Sequence, residues 1–219
     1  MFEESRFTVC DAGKGRIELV AAGPGEPAVR RLADLEASLG PRASRVAFAM
    51  NAGMYDEDGR PIGLAIVEGK QKRAINRREG SGNFHLMPNG VFQVFRDGGA
   101  EVITSERWKP SAGIRLATQS GPMLVIDGKQ HPAFDRDGTS RYIRNGVGIG
   151  PRGQPLFVIS DGPVSLGKFA RFYRDELKVR NALFFDGAVS ALWDPASGRR
   201  DVTKPLGPIV VVYIGRLQA

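Results

Sequence analysis

Short apolar or alternating runs, separated by glycine and proline, dominate this chain. The 28 glycines and 14 prolines interrupt its 219 residues at short intervals. Runs of this length between turn residues are typical of β-strands. They predict strands at residues 45–50, 63–68, 91–95, 101–104, 122–126, 155–160, 181–186 and 208–214.

Two segments instead repeat apolar residues at helical spacing. Residues 28–39 place apolar side chains near one face, and Gly40 and Pro41 end the pattern. Residues 165–177 carry an aromatic stripe that we assign to core packing. Because the chain has no internal repeat and no linker-like segment, we predict a single α+β domain over residues 1–219. Its sheets would be mixed or antiparallel, with two main helices.

The composition is that of a globular protein, with 42% hydrophobic and 25% charged residues. No apolar stretch approaches the roughly 20 residues that span a bilayer, and the first residues lack a signal-peptide apolar region. We therefore expect no membrane span. The compartment stays open: periplasmic or secreted if a signal peptide was removed, cytoplasmic as the chain stands.

The net charge of +7 and the isoelectric point near 9.8 favour an anionic partner. The basic residues are scattered, however, and aromatic residues do not interleave with them, so we do not expect nucleic acid binding. The single cysteine, Cys10, has no internal disulfide partner, and two histidines supply few metal ligands. We therefore expect neither a metal nor another cofactor.

Six Asp-Gly pairs punctuate the sequence, and four of them have charged neighbours. These four predict exposed turns, where Asp tolerates the geometry and Gly supplies a positive φ. One of the turns, after residue 96, would close a hairpin, and residues 151–154 predict another. The four aspartates are Asp58, Asp97, Asp127 and Asp137.

The other two pairs, at Asp161 and Asp186, each end an apolar run and are followed by small or apolar residues. Burial near a strand end raises the pKa of a carboxyl group into a useful range, and the glycine lets a ligand approach closely. A simple strand-end turn explains the same pattern. The residues alone leave both interpretations open.

Several predicted strand ends also place an amide, hydroxyl or guanidinium group beside a glycine. Convergence of these groups on one cleft would suit hydrogen bonding to a sugar or a phosphate, although each is also compatible with an ordinary turn. The residues are Asn51, Asn89, Gln119, Ser120, Arg144 and Asn145.

The ordered set of these segments resembles the phosphodiester glycosidase family, that of the lysosomal uncovering enzyme, which removes N-acetylglucosamine from phosphodiester-linked mannose. The likeness is to its small stand-alone bacterial members. It is carried by NAGMYDEDGRPIGLAIVEGK (51–70), NGVF (89–92), TQSGPMLVIDGK (118–129), RYIRNGVGI (141–149), ISDGPV (159–164) and NALFFDGAVSALW (181–193). The family residues that line one cleft correspond to Asn51, Gly53, Ser120, Gly121, Arg144, Asp161, Asp186 and Gly187.

One departure stands out. The family pattern after the last acid is Gly-Gly-Gly-Ser, whereas this chain has Gly187-Ala188-Val189-Ser190. The bulkier Val189 would narrow the cleft or change the substrate.

The resemblance implies hydrolysis of a sugar-1-phosphodiester, such as an N-acetylglucosamine-1-phosphodiester in a cell-envelope polymer, at the anomeric carbon. Asp186 would be the nucleophile or base and Asp161 the partner acid or a positioner, with the roles open to exchange. Arg144 would hold the phosphate, with Arg141 as second choice. The substrate-binding set would be Asn51, Gly53, Asn89, Gln119, Ser120, Gly121, Arg141, Asn145, Gly187 and Ser190.

Other interpretations remain at this stage. A non-catalytic module that binds envelope carbohydrate or phosphoglycan would keep the same cleft. His85 is a candidate base, Ser120 a weak candidate nucleophile with His85 or His131, and the two acids candidate ligands for a divalent cation. The natural sugar, the group beyond the phosphate, the stereochemical outcome and the oligomeric state are open.

Overall fold

Three antiparallel sheets form the protein in a computed structural model, which describes residues 1–187 and 189–215. In chain order the strands are β1 Phe7–Asp11, β2 Arg16–Val20, β3 Val46–Asn51, β4 Ala65–Val67, β5 Lys70–Arg73, β6 Gly90–Phe95, β7 Ala100–Thr104, β8 Ile114–Ser120, β9 Met123–Ile126, β10 Lys129–Gln130, β11 Asn145–Ile149, β12 Pro155–Ser160, β13 Ala182–Phe184, β14 Leu192–Asp194, β15 Arg199–Arg200 and β16 Ile209–Tyr213.

The first sheet has the order β1-β12-β11-β13-β9-β10, the second β15-β14-β3-β16-β2, and the third β5-β4-β8-β6-β7. Each of the predicted apolar runs overlaps a strand, and the run at 155–160 matches β12 at both ends. The predicted hairpins are also confirmed, as β6–β7 and β11–β12. The α+β class is therefore confirmed, with antiparallel pairing in every sheet.

The helices cover the outer faces of two sheets. Helix α1, Leu32–Leu39, packs on the second sheet, and α2, Leu166–Arg171, packs on the first. Ser165 caps α2 by accepting a hydrogen bond from the Lys168 amide, and the helix continues as a π-turn over Phe172–Glu176. No helix in the described residues has the length and hydrophobicity needed to cross a membrane.

Helix α1 begins four residues later than predicted. Arg31 is extended, with φ −143° and ψ 149°. The preceding carbonyl, of Arg30, accepts a hydrogen bond from the Leu206 amide. That hydrogen bond to a distant segment keeps the residues before Leu32 outside the helix.

The inner faces of the sheets share one apolar core. Phe157 of the first sheet contacts Phe48 of the second and Phe92 of the third, with ring centroids 5.4 and 5.5 Å apart in edge-to-face arrangements. Phe185, which follows β13, lies 6.4 Å from the same ring. The core therefore fixes the ends of the strands relative to one another, and it is at these ends that the polar residues collect.

Candidate active site

Ends of strands from two sheets meet at one edge of the core. β11 lies between β12 and β13, and Gly146 of β11 is opposite Phe184 of β13. The Phe184 amide donates to the Pro122 carbonyl, which brings the chain before β9 to the same edge. β3 of the second sheet ends there with Asn51. The topology thus brings together several of the polar strand ends that the sequence predicted.

Three buried side chains, Asn51, Asn145 and Ser190, form a hydrogen-bond network between the first and second sheets. Asn145 Nδ2 donates to the Asn51 Oδ1, at 2.9 Å, and the Ser190 hydroxyl donates to the Asn145 Oδ1, at 3.1 Å. Asn51 Oδ1 also accepts from the Ala191 amide at 2.8 Å. Because buried amides are costly unless paired, this network holds the two sheets in a defined relative position.

Asp186 emerges beside this network. Its carbonyl oxygen accepts a hydrogen bond from Asn51 Nδ2 at 3.0 Å, and its amide donates to the Ala52 carbonyl at 3.4 Å. The residue is half-buried and follows the fully buried Phe185. Backbone contacts therefore fix Asp186 just beyond the end of an apolar strand.

Gly187 is required by a close approach. A Cβ atom at this position would overlap the ring of Phe184, and it would lie 3.6 Å from the Ile143 carbonyl. Because Gly187 has no side chain, the backbone after Asp186 packs directly against Phe184, the last residue of β13.

Tyr55 is a residue that the sequence analysis missed. Burial, and then the negative charge of Asp186, raise the pKa of its hydroxyl to about 12. That hydroxyl donates to the Pro205 carbonyl at 2.5 Å, and the Arg30 guanidinium lies 5.4 Å from the ring centroid. Tyr55 lies in the 51–70 segment that carries the resemblance, but nothing in its local pattern separates it from a surface tyrosine.

Gln119 and Asn89 form a second amide cluster in the third sheet. Gln119 Oε1 accepts from the amides of Leu64 and Asn76, at 2.9 and 2.8 Å, and its Nε2 donates to Asn89 Oδ1 at 3.2 Å. Asn89 Nδ2 donates to the Phe84 carbonyl. Both side chains are buried and occupied by protein partners. Through these hydrogen bonds the two side chains stabilise the segments around Leu64, Asn76 and Phe84 at the edge of the sheet.

Gly53 and Gly121 pack directly against this cluster. A Cβ on Gly53 would overlap the Gln119 carbonyl and the Thr118 hydroxyl, and one on Gly121 would press on Asn89. Ser120, the residue before Gly121, is fully buried, and its hydroxyl has no hydrogen-bond partner among the described residues. These contacts place the second cluster next to the end of β3.

Arg144 does not point into open space at this edge. Its side chain is buried; Nε donates to the Val164 carbonyl at 2.7 Å and Nη2 to the Ser140 carbonyl at 2.8 Å. The guanidinium carbon lies 5.3 Å from the ring centroid of Phe184 and 5.6 Å from that of Tyr142. Burial lowers its pKa to about 10, which leaves the group charged at neutral pH.

Asp161 also has structural partners. Its Oδ1 accepts from the Thr8 hydroxyl at 2.9 Å and from Arg199 Nη1 at 3.2 Å, and Arg199 also pairs with Asp201 at 2.9 Å. Asp161 follows β12 and Asp186 follows β13, so the two backbones lie two strand spacings apart, roughly 10 Å. The contacts of Asp161 join the edge strands β1 and β15.

Arg141 belongs to an exposed segment at the mouth of this edge, together with Tyr142 and Ile143. The Ile143 carbonyl lies 2.9 Å from the Ser190 hydroxyl and shares that hydroxyl's single proton with Asn145 Oδ1, which ties the segment to the buried network. Arg141 forms no ion pair with any described residue. Its guanidinium is therefore available to an anion in solution.

Both histidines have backbone partners. His131 is buried; its Nδ1 accepts from the Ala133 amide, so the Nε2 proton is donated to the Met87 carbonyl at 3.1 Å. His85 Nδ1 lies 2.8 Å from the Arg78 carbonyl. In the part of the chain that the structure describes, no three His, Cys, Asp or Glu side chains are grouped to hold a metal ion.

The expectation that Val189 narrows the cleft was wrong, because its side chain is buried in the core between α1 and the second sheet. It belongs there to the same apolar cluster as Leu32 and Tyr213. Ala188 lies outside the described residues.

Comparison with known proteins decides the family. Residues 44–212 match the sequence profile of the phosphodiester glycosidases. This chain belongs to the phosphodiester glycosidase family. A curated relative, the uncharacterized protein YigE of Escherichia coli strain K12, is 39% identical over 149 residues, which are 68% of this chain and 58% of that protein. The chain thus spans just over half the length of this relative.

Solved structures show a similar fold in other proteins. The zebrafish N-acetylglucosamine-1-phosphodiester alpha-N-acetylglucosaminidase catalytic domain, auto-inhibited by its pro-peptide, has a TM-score of 0.66 at 17% identity, covering 97% of this chain and 83% of that one. A hypothetical protein from Synechocystis has a TM-score of 0.60 at 13% identity, covering 98% and 61%. At these identities the likeness establishes the fold alone.

Proposed function

We propose that this chain hydrolyses a sugar-1-phosphodiester, of the N-acetylglucosamine-1-phosphodiester type, at the anomeric carbon. The observation that carries the proposal is Asp186, a half-buried acid held at a strand end by Asn51 in a member of the phosphodiester glycosidase family. A carboxylate fixed by its backbone in a partly dry site is what attack at an anomeric carbon requires.

The reaction needs little help from a general acid. The leaving group is a phosphomonoester, which is a much weaker base than an alkoxide. Asp186 either attacks the anomeric carbon, with the C–O bond electrons passing to the phosphate oxygen, or takes a proton from the water that attacks. In the first case, water then releases the sugar from Asp186.

We assign the phosphate contact to Arg141, the second choice of the sequence analysis. Arg144 already donates through Nε and Nη2 to carbonyl oxygens, so it positions residues 140–144. Arg141 lies on that positioned segment with its guanidinium exposed, and a guanidinium fork matches two phosphate oxygens.

The remaining site residues have supporting roles in this proposal. Asn51, Asn145 and Ser190 hold Asp186 in place, because their own polar groups are occupied by one another. Tyr55 lies near enough for the charge of Asp186 to raise the pKa of its hydroxyl. Asp161, engaged by Arg199, positions the edge of the first sheet.

Turnover of an N-acetylglucosamine-1-phosphodiester by the purified protein tests the proposal. Asp186→Asn should lower kcat by about 10²- to 10⁴-fold, since it removes the nucleophile or base. Asp58→Asn, in an exposed turn, is the matched control and should leave turnover unchanged.

Two results would contradict this assignment. Full activity in folded Asp186→Asn would remove that residue from the mechanism. Saturable binding of the phosphodiester by the wild-type protein without any turnover would instead support a non-catalytic binding module.

A further inference from the structure

A cavity of about 530 Å³ opens at the opposite end of the strands that lead to the candidate site. Arg115 of β8 and Pro155, the first residue of β12, lie on its wall. The same two strands end at Ser120 and Ser160, each five residues further along, which is roughly 17 Å of extended chain. The cavity is therefore separate from the edge that carries Asp186.

Its lining is strongly basic. Four cations, Lys14, Arg16, Arg96 and Arg115, face one acid, Asp97, so the lining side chains carry a net charge of +3 (four minus one). Concave surfaces of one sign concentrate the electrostatic field and attract counter-ions.

Two of the arginines form a fixed inner wall. Arg115 donates to Glu68 at 2.9 Å and to the Ile17 carbonyl at 2.8 Å, and its side chain is only 14% exposed. Arg16 pairs with Glu18 at 3.0 Å and more distantly with Glu68 at 3.4 Å. Counting Glu68 and Glu18 with the lining still leaves an excess of positive charge, of +1 (four minus three).

The other two cations stand at the rim and lack acidic partners. Lys14 lies in the turn between β1 and β2, and Arg96 in the turn between β6 and β7. Both are exposed, and neither forms an ion pair with a residue in the described ranges. Arg96 Nε donates to the Ala112 carbonyl at 3.2 Å, which anchors that side chain at the rim.

We propose that this basic cavity binds a multivalent anion, a ligand with two or more phosphate or carboxylate groups. Lys14 and Arg96 come from different hairpins, so a ligand with two or more charged groups can contact both. Arg115 and Arg16 are fixed by their pairs with Glu68 and Glu18, and charge-assisted hydrogen bonds from the unpaired rim cations supply the attraction. The volume is that of a typical small-ligand pocket, about 300–1,000 Å³.

Isothermal titration calorimetry at low ionic strength, with sodium tripolyphosphate and with citrate in separate titrations, tests the proposal. We expect saturable one-to-one binding of at least one of them. The anion that binds more tightly identifies phosphate or carboxylate as the preferred group. The double variant Lys14→Ala/Arg96→Ala should weaken that binding by about tenfold or more, because two charged donors are lost.

The control is Lys109→Ala/Arg180→Ala, which removes the same charge from exposed positions outside the cavity. It should bind as the wild type does. An equal loss in both double variants, or no saturable binding of either anion to the wild type, would overturn the proposal.

Amide NMR spectra of the wild-type protein locate the bound anion without the use of a variant. Addition of the tighter anion should shift the signals of Gly13, Gly15 and Gly98, which line the cavity, and leave those of Gly53 and Gly121 unmoved. Shifts confined to the Gly53 and Gly121 signals would place the anion at the candidate active site instead.

Discussion

Whether an arginine of this protein can bind a ligand depends on whether its hydrogen-bond donors already have protein partners. Arg144 and Arg141 are three positions apart, yet one is buried with carbonyl partners and the other is exposed. The family resemblance placed Arg144 first as the phosphate contact, because the sequence does not reveal which of the two guanidinium groups is buried against carbonyl partners.

Substitution separates their roles. Arg144→Ala should lower the free energy of unfolding by about 3 kcal/mol, since the buried Val164 carbonyl and the Ser140 carbonyl lose a charged donor. Arg141→Ala should change it by less than about 0.5 kcal/mol and should reduce turnover of the phosphodiester. Urea unfolding, with kinetics on the same preparations, distinguishes them. Equal destabilisation by both changes would show that Arg141 is also structural.

His131 should make stability depend on pH. Burial lowers its pKa in the folded protein below the 6.5 of an exposed histidine. As pH falls below 6.5 the unfolded chain therefore takes up a proton first, and stability is lost by at most about 1.4 kcal/mol per pH unit.

Urea unfolding between pH 7 and 5.5 measures this slope. His131→Asn should flatten it, whereas His85→Asn, at a half-exposed site, should preserve it. An unchanged slope in the His131 variant would assign the pH dependence to other groups.

At the scale of elements, the end of β3 and the end of β8 are in direct contact through Gly53. Gly53→Ala should lower the free energy of unfolding by about 1–3 kcal/mol, because the added methyl overlaps the Gln119 carbonyl and the Thr118 hydroxyl. The displacement of β3 should also lower activity, since Asn51 holds Asp186.

Gly162→Ala is the matched control. This glycine follows the candidate acid Asp161, and a Cβ there would meet no atom within 4 Å. Thermal unfolding should leave this variant within about 0.5 kcal/mol of the wild type. A Gly53→Ala protein of wild-type stability would mean that the two strands can separate freely.

The sequence was informative where a strand is buried on both faces. The continuous apolar runs of β12 and β16 could be predicted, whereas the edge strand β1 and the short β15 could not, because they lack such a run. Helix α1 was predicted too long, because the tie between Arg30 and Leu206 is a tertiary contact that periodicity does not report.

The candidate site was predictable in part for the same reason. Asp186 and the amides Asn51 and Asn145 stand at the ends of buried strands, and the structure brings them together. Tyr55, the partner Arg199 of Asp161, and the internal pairing of Gln119 depend on contacts between distant segments. The local sequence pattern cannot predict those contacts.

At the scale of the whole molecule, Phe157 links the three sheets through Phe48 and Phe92. Phe157→Ala should lower the free energy of unfolding by about 3–5 kcal/mol, because a fully buried ring leaves a cavity. Fluorescence and circular dichroism should still report one transition, since the sheets share this core.

Val202→Ala, at a side chain that is 94% exposed, is the control and should have no measurable effect. Separate transitions for the two probes in the Phe157 variant would show that the sheets unfold independently.

The position of β16 in the second sheet has a consequence for folding during synthesis. This strand pairs with β3 on one side and β2 on the other, so it is an interior strand of its sheet although it is the last strand of the described residues. A ribosome-bound chain lacking residues 209–213 leaves β2 and β3 without their shared neighbour. Asn51, at the end of β3, can therefore reach its final place only after residues 209–213 have left the ribosome.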